Sequence, residues 1–216
     1  EYNRILDQKS RILRDRYENP ALLDILPEYN TRLCQVGALL ISYRARFYQS
    51  LGAEAARFHS QFSGGAEDFT LEYKTVSTVD EPFASIGILT ENLQEHLQKH
   101  YRAELETCQC LTGPHKDDFT VCLSGVDLKA YGSQGQTRTA AISLKLAQRE
   151  LMSREWGEKP VLLLDDVLSE LDPGRQDFVL NQIVSGQVFI TCCEPGRFTR
   201  LGKTMQIQHG SLVCSA

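Results

Sequence analysis

The sequence predicts an α/β protein with a helical arm, and three observations carry that reading. Leu22, Leu26, Tyr29, Leu33, Val36, Leu40, Tyr43 and Phe47 recur alternately four and three apart, the heptad-like stripe of one helix packed along another. Phe69, Leu71, Tyr73 and Thr75 alternate with polar neighbours, as in a half-exposed strand. Val161-Leu162-Leu163-Leu164 is an unbroken apolar run that ends in Asp165-Asp166, and an uninterrupted run reads as a strand buried on both faces. The first pattern places the arm and an adjoining helical and strand region in residues 1–106, and the last places an α/β region in residues 107–216.

In chain order, Ile5, Leu6, Ile12 and Leu13 suit a helix that ends near the turn-favouring pair Asn19-Pro20. Pro27 interrupts the stripe early and marks the first turn of the long helix. A short helix from Ala53 to Phe62 stops at Ser63-Gly64-Gly65-Ala66, and the strand around Phe69 follows. Leu89, Leu93, Leu97 and Tyr101 predict a helix from Phe83 to Leu105, with charged residues on its other faces. Gly113-Pro114-His115-Lys116-Asp117-Asp118 then leads into a strand, Phe119 to Leu123, and after the turn Ser124-Gly125 a second strand is expected over Val126 to Ala130. Ser133 is placed to cap a helix in which Leu144, Ala147 and Leu151 recur at helical spacing. Past the Asp pair, Pro173-Gly174 opens a helix carrying Phe178, Val179, Ile183 and Val184. Val188-Phe189-Ile190 forms a strand ending at Thr191, and Thr204 to Gln208 forms the last strand, turning at His209-Gly210.

Three stretches carry candidate chemistry. Asp165 and Asp166 fall at the carboxyl end of a buried strand, where open α/β sheets keep their ligand sites. Adjacent carboxylates raise each other's pKa unless a cation is shared or one turns away, so the pair suits a metal or an attacking water, although a solvated strand end gives the same pattern. Tyr131-Gly132-Ser133-Gln134-Gly135-Gln136 is a glycine-rich turn at a helix N-terminus, whose unpaired N–H groups and dipole can hold a phosphate. Taken alone it equally describes an ordinary capped helix. His115, Asp117 and Asp118 allow a rival reading as a metal-dependent nuclease, although adjacent carboxylates on an extended loop diverge and no partner cluster of His and Glu accompanies them.

The chain is 42% hydrophobic and 24% charged, enough to bury one or two cores. No apolar run approaches the roughly 20 residues that span a bilayer, and no secretory pattern opens the sequence, so a soluble, cytoplasmic protein is expected. Seven cysteines, with Cys108-x-Cys110 and Cys192-Cys193 spacings that match no zinc pattern, suggest reduced and mostly buried thiols. A net charge of −5 lacks the basic footprint of most nucleic-acid binders, which leaves only a local basic patch for that role.

In order and spacing, the turn at Tyr131 to Gln136 with Arg138-Thr139, the strand Leu162 to Asp166 and the following Val167-Leu168-Ser169-Glu170-Leu171-Asp172 resemble the signature motif, Walker B strand and D-loop of ABC-type ATPases. Together with Gly113 to Asp118 they are similar to the RecF family of bacterial recombination-mediator ATPases. The resemblance covers the second half of the chain well and the first half loosely. It implies a partial ABC-type ATPase head, the signature, Walker B and D-loop half, joined to an antiparallel helical hairpin as arm. No Gly-x-x-x-x-Gly-Lys-Ser/Thr phosphate loop occurs in these residues, so the nucleotide site is incomplete within the chain, and the sequence reads as the later part of a longer protein.

The resemblance further implies that two heads dimerise around ATP, so that Ser133, Gly135 and Gln136 meet the terminal phosphate of the nucleotide held by the other copy. It implies Asp165 for Mg²⁺, Asp166 as the catalytic residue that positions or deprotonates water, and Asp172 at the dimer seam. Thr191 stands where ABC ATPases commonly keep a switch histidine, and the aspartate at 166 stands where they commonly keep a glutamate. The shorter side chain suits slow hydrolysis. Implied partners are double-stranded or gapped DNA, RecR-like and RecO-like mediator proteins and a second copy of the chain, in gap repair, replication restart and the SOS response. A non-catalytic interaction module is the alternative for the chain by itself.

Overall fold

The computed structural model describes residues 1–168, 171–183, 185–192 and 202–214. Ser169 and Glu170 of the D-loop stretch, Val184 and Cys193 lie outside the described residues. The chain forms two compact units, Glu1–Gln148 and Arg149–Ala216, a division that falls inside a helix rather than at the sequence division of 106/107.

In the first unit, α1 (Tyr2–Asp15) turns its buried residues Tyr2, Ile5, Ile12 and Leu13 toward α2 (Leu26–Ser63), a single helix of 38 residues. Pro27 lies in the first turn of α2, where its missing N–H costs nothing, and Gly64 ends it in the left-handed conformation that glycine adopts without strain. The short helix expected at Ala53 is the continuation of α2. Ile12, Leu13 and Leu26 pack near the connection between the helices, and Tyr2, Ile5 and Leu33 pack further along, so α1 and α2 run antiparallel.

The stripe holds from Leu22 to Leu40, with Leu26 and Leu33 buried and Leu22, Tyr29, Val36 and Leu40 packed against the contact with α1, and then fails. Tyr43 is 70% exposed and Phe47 is exposed, while Cys34, Ala38, Ile41 and Ala45 are buried in their place. The cause is a second neighbour. α3 (Ile86–Thr107) packs Leu89, Leu93 and Leu97 against Cys34, Ala38 and Ile41. At Gly37 an added Cβ would lie 3.2 Å from both Leu93 and Pro114, so small residues let the helices approach.

Three antiparallel strands complete this unit: β1 (Phe69–Lys74), β2 (Asp118–Leu123) and β3 (Val126–Asp127), with Phe69 opposite Leu123 and Cys122 opposite Asp127. β3 is shorter than the strand expected over Val126 to Ala130. Asp127 accepts a hydrogen bond from the Lys129 amide at 2.8 Å and caps a single helical turn, α4 (Leu128–Tyr131). α5 (Gln134–Trp156) follows at once.

In the second unit, β4 (Leu162–Asp165) pairs in parallel with β5 (Val188–Thr191), and α6 (Pro173–Gln182) lies between them in sequence. Leu162 and Leu164 are buried with Leu168, Leu171 and Val179. Leu163 is 70% exposed and its register partner Phe189 is exposed as well, so the strand expected to be buried on both faces is covered on one. Burial on two faces needs a layer on each side of the strands, and the described residues cover one side alone. β6 (Met205–Gln208) is not the last strand, because His209 and Gly210, both at positive φ, turn the chain into β7 (Ser211–Cys214).

Candidate functional site

The turn before α5 is a reciprocal cap. Ser133 Oγ accepts from the Gln136 amide at 3.2 Å, and Gln136 Oε1 accepts from the Ser133 amide at 2.9 Å. This capping box satisfies two N–H groups at the helix start. The Gly135 carbonyl accepts from Thr139 Oγ1 at 2.8 Å, which tightens the first turn. Gly132 has a reason inside the fold: an added Cβ would lie 2.5 Å from the Leu128 carbonyl oxygen. Gln136 Nε2 donates to Glu67 Oε1 at 2.7 Å, and Glu67 Oε2 accepts from Nε2 of His59, which is fully buried, at 2.9 Å. Glu67 and His59 escaped the sequence reading because neither carries a local pattern and both lie far from Gln136 along the chain.

At the carboxyl end of β4, Asp165 sits opposite Thr191 of β5. The Thr191 hydroxyl donates to Asp165 Oδ1 at 2.6 Å and accepts from the Asp166 amide at 2.9 Å. One side chain thus orients the first carboxylate and holds the backbone of the second. Asp166 lies at φ +52°, a left-handed conformation that aspartate tolerates better than most residues, so its side chain leaves the strand in a new direction. Asp172 caps α6, accepting from the Arg175 amide at 3.1 Å and pairing with the Arg175 guanidinium at 3.3 Å. The structure therefore brings Asp165, Asp166 and Thr191 together, and separately Ser133, Gly135 and Gln136.

Asp165 directs one oxygen to Thr191 and, among the described residues, has no hydrogen-bond partner for the other. An exposed, oriented carboxylate beside a second one is the donor chemistry that Mg²⁺ takes when phosphate and water supply its remaining ligands, so these residues fit the ion.

The loop Gly113 to Asp118 is structural. His115 Nε2 donates to the Cys110 carbonyl at 2.9 Å, and its Nδ1 accepts from the Tyr2 hydroxyl at 2.8 Å, which defines a neutral tautomer. Burial pushes the His115 pKa down, against the opposing effect of the Cys110 carbonyl. Asp117 takes Arg44 at 2.8 Å and the Tyr73 hydroxyl, while Asp118 accepts from the Phe119 amide at 2.8 Å. The two carboxylates diverge, and Asp117 is committed to α2 and β1. Among the described residues, no group of three or more His, Cys, Asp or Glu is arranged to hold a metal ion, and no described helix is long and apolar enough to cross a membrane.

A carboxylate pair closing a parallel strand, with a capped turn and helix ahead of it in sequence and a helical hairpin as arm, defines a partial ABC-type ATPase head. No family model matches the chain. The chain is 38% identical over 199 residues to the DNA replication and repair protein RecF of Agathobacter rectalis, covering 92% of this chain and 52% of that protein. It is 36% identical over 218 residues to the protein of the same name from Desulforamulus reducens, covering 99% and 58%. A solved structure of the recombination mediator protein RecF-ATP in the RecFOR pathway superposes with a TM-score of 0.85 at 31% identity, covering all of this chain and 57% of that one. A second, with ATPrS, gives 0.79 at 33% identity, covering 90% and 52%. The chain is thus similar to RecF proteins in sequence and in fold over almost all of its own length. It spans about half the length of the relatives it matches.

Proposed function

We propose that this chain supplies the signature, Walker B and D-loop half of an ATP-dependent, DNA-binding recombination mediator acting in gap repair and replication restart. The observation that carries the reading is the Thr191 hydroxyl, which ties Asp165 to the backbone of Asp166 at the end of paired parallel strands. On this reading Asp165 holds Mg²⁺, which when bound neutralises charge on the phosphate oxygens. Asp166 orients the attacking water and accepts its proton. Thr191 holds both aspartates in place, and its hydroxyl carries no charge, so a switch here works by hydrogen bonding. The capped turn offers the N-terminal backbone of α5 and the Ser133 hydroxyl to the terminal phosphate held by a second copy, with Gln136 fixing the turn's shape. Asp172, at the start of α6, lies at the seam between copies.

ATP then acts as a dimerising ligand, so nucleotide binding and assembly are thermodynamically linked. Gapped or double-stranded DNA and RecR-like and RecO-like proteins are the proposed partners, in the cytoplasm. These follow from the family and from relatives placed in the RecFOR pathway. The absence of a phosphate loop from these residues favours one alternative, in which the chain alone is an interaction module without catalysis.

The test is sedimentation of the full-length protein with and without ATP, comparing wild type with Ser133→Arg and Asp166→Asn. ATP should drive wild-type dimers, Ser133→Arg should abolish them, and Asp166→Asn should make them persist through loss of hydrolysis. Indifference of all three to ATP would leave the interaction module as the better account.

A further inference from the structure

We propose that Glu67, held by the buried His59, is a positioning residue for the signature turn and sets the geometry in which that turn meets the partner's nucleotide. The inference rests on the reading of Ser133 to Gln136 given above and extends it to the segment that joins α2 to β1.

Gln136 has one donor partner and one acceptor partner, so its amide has a single workable orientation. Oε1 must face the Ser133 amide, and Nε2 must face a carboxylate. Glu67 supplies that carboxylate and gives its other oxygen to His59 Nε2–H. Turning the Gln136 amide over would set its NH₂ group against the Ser133 N–H and open the cap. Glu67 therefore protects the cap against its most accessible failure.

The segment behind Glu67 is hydrogen-bonded on both sides. The Glu67 amide donates to Ser63 Oγ at 3.4 Å, at the end of α2. The next residue, Asp68, exchanges hydrogen bonds with Ser124 in the β2–β3 turn: Ser124 N–H donates to the Asp68 carbonyl at 2.7 Å, and Asp68 N–H donates to Ser124 Oγ at 3.3 Å. His59 lies against the Phe69 ring, and its Nδ1 is 3.5 Å from Ser143 Oγ on α5. Arm helix and α5 are thus joined at two heights, through Glu67 at the turn and through Ser143 further along the helix. The end of the arm helix and the signature turn share one hydrogen-bonded frame.

Glu67 is partly exposed, with a side chain 24% accessible, so its truncation removes the tie without opening a core. Glu67→Gln keeps an acceptor for Gln136 Nε2. Its new NH₂ group then meets His59, which can move its proton to Nδ1 and accept instead.

The experiment uses the full-length protein and compares wild type, Glu67→Ala, Glu67→Gln and, as control, Ser133→Arg. Thermal stability, ATP affinity of the monomer, the ATP-dependent dimer dissociation constant, and amide exchange of residues 133–137 in the nucleotide-free monomer are measured. Glu67→Ala should keep the monomer's ATP affinity, weaken the dimer about tenfold and speed exchange in the turn by a similar factor, the loss of one charge-assisted hydrogen bond. Glu67→Gln should stay close to wild type in both. If Glu67→Ala dimerises and exchanges like wild type while Ser133→Arg blocks dimers, the positioning role is wrong and the reading of the turn stands. If Ser133→Arg also dimerises like wild type, the turn does not meet the nucleotide and the inference falls with that reading. Should Glu67→Ala be too unstable to assay as a dimer, the exchange comparison with Glu67→Gln decides: equal rates in the two variants overturn the proposal.

Discussion

Thr191 shows how much one hydroxyl can organise. It donates to Asp165 and accepts from the Asp166 backbone, so Thr191→Val removes both bonds while keeping the side-chain volume. In the full-length protein this change should lower ATP hydrolysis about tenfold with ATP binding retained, since an oriented carboxylate is lost and no apolar contact is. Equal turnover by wild type and Thr191→Val would show that the bridge is incidental. Asp165 and Asp166 were legible because an apolar run ends on them. The bridge itself was not, because nothing in the sequence sets the register of β4 against β5.

Gly113 and His115 carry a second residue-scale expectation. Gly113 lies at φ +126°, and an added Cβ would meet the Tyr2 hydroxyl at 2.2 Å. Gly113→Ala should therefore cost about 2–4 kcal/mol and lower Tm by several degrees, through combined strain and overpacking. Burial lowers the pKa values of both His115 and His96. A histidine depressed in the folded state takes up its proton more readily when unfolded, so the native state is favoured above the unfolded value near 6.5. Stability should accordingly fall as pH drops below about 6.5 toward the lower native values. His115→Gln should remove part of that slope in Tm measured across pH 7.5 to 5.5, and an unchanged slope would exclude His115 as a contributor.

Elements were predicted well where their boundaries are chemical and poorly where their neighbours decide. Pro27 and Ser133 mark helix starts through local backbone chemistry, and both fell where expected. The buried face of α2 is wider than the heptad stripe and leaves it at Tyr43, because two helices flank it and small residues, Gly37, Ala38 and Ala45, lie on the added part. A search for large apolar residues passes over such a face. Asp127 was a missed cap, and β3 ended there. α1 and α3 are joined by a fully buried ion pair, Lys9 to Glu104 at 2.6 Å, with Glu104 also accepting from the Leu111 and Thr112 amides. Lys9→Met leaves that carboxylate buried without its cation and should destabilise by about 3–5 kcal/mol, read by chemical denaturation. A loss under 1 kcal/mol would mean that water or another cation reaches Glu104.

For the whole molecule, the exposed face of β4 and β5 and the missing phosphate loop agree with a chain that spans about half of its relatives. The order of motifs was enough to identify the partial head, because the turn, the apolar strand and the carboxylates follow one another in the sequence as in an ABC-type head. The frame behind the turn was not legible, since Gln136, Glu67 and His59 meet only once α2 and α5 have packed. The central claim is that the signature turn of one copy completes the nucleotide site of another. It is tested most directly by mixing full-length Ser133→Arg with full-length Asp166→Asn and measuring ATP hydrolysis. In a mixed dimer one composite site carries both lesions and the other carries neither, so the mixture should hydrolyse ATP where each variant alone does not. A mixture as inactive as its components would contradict a site shared between two copies.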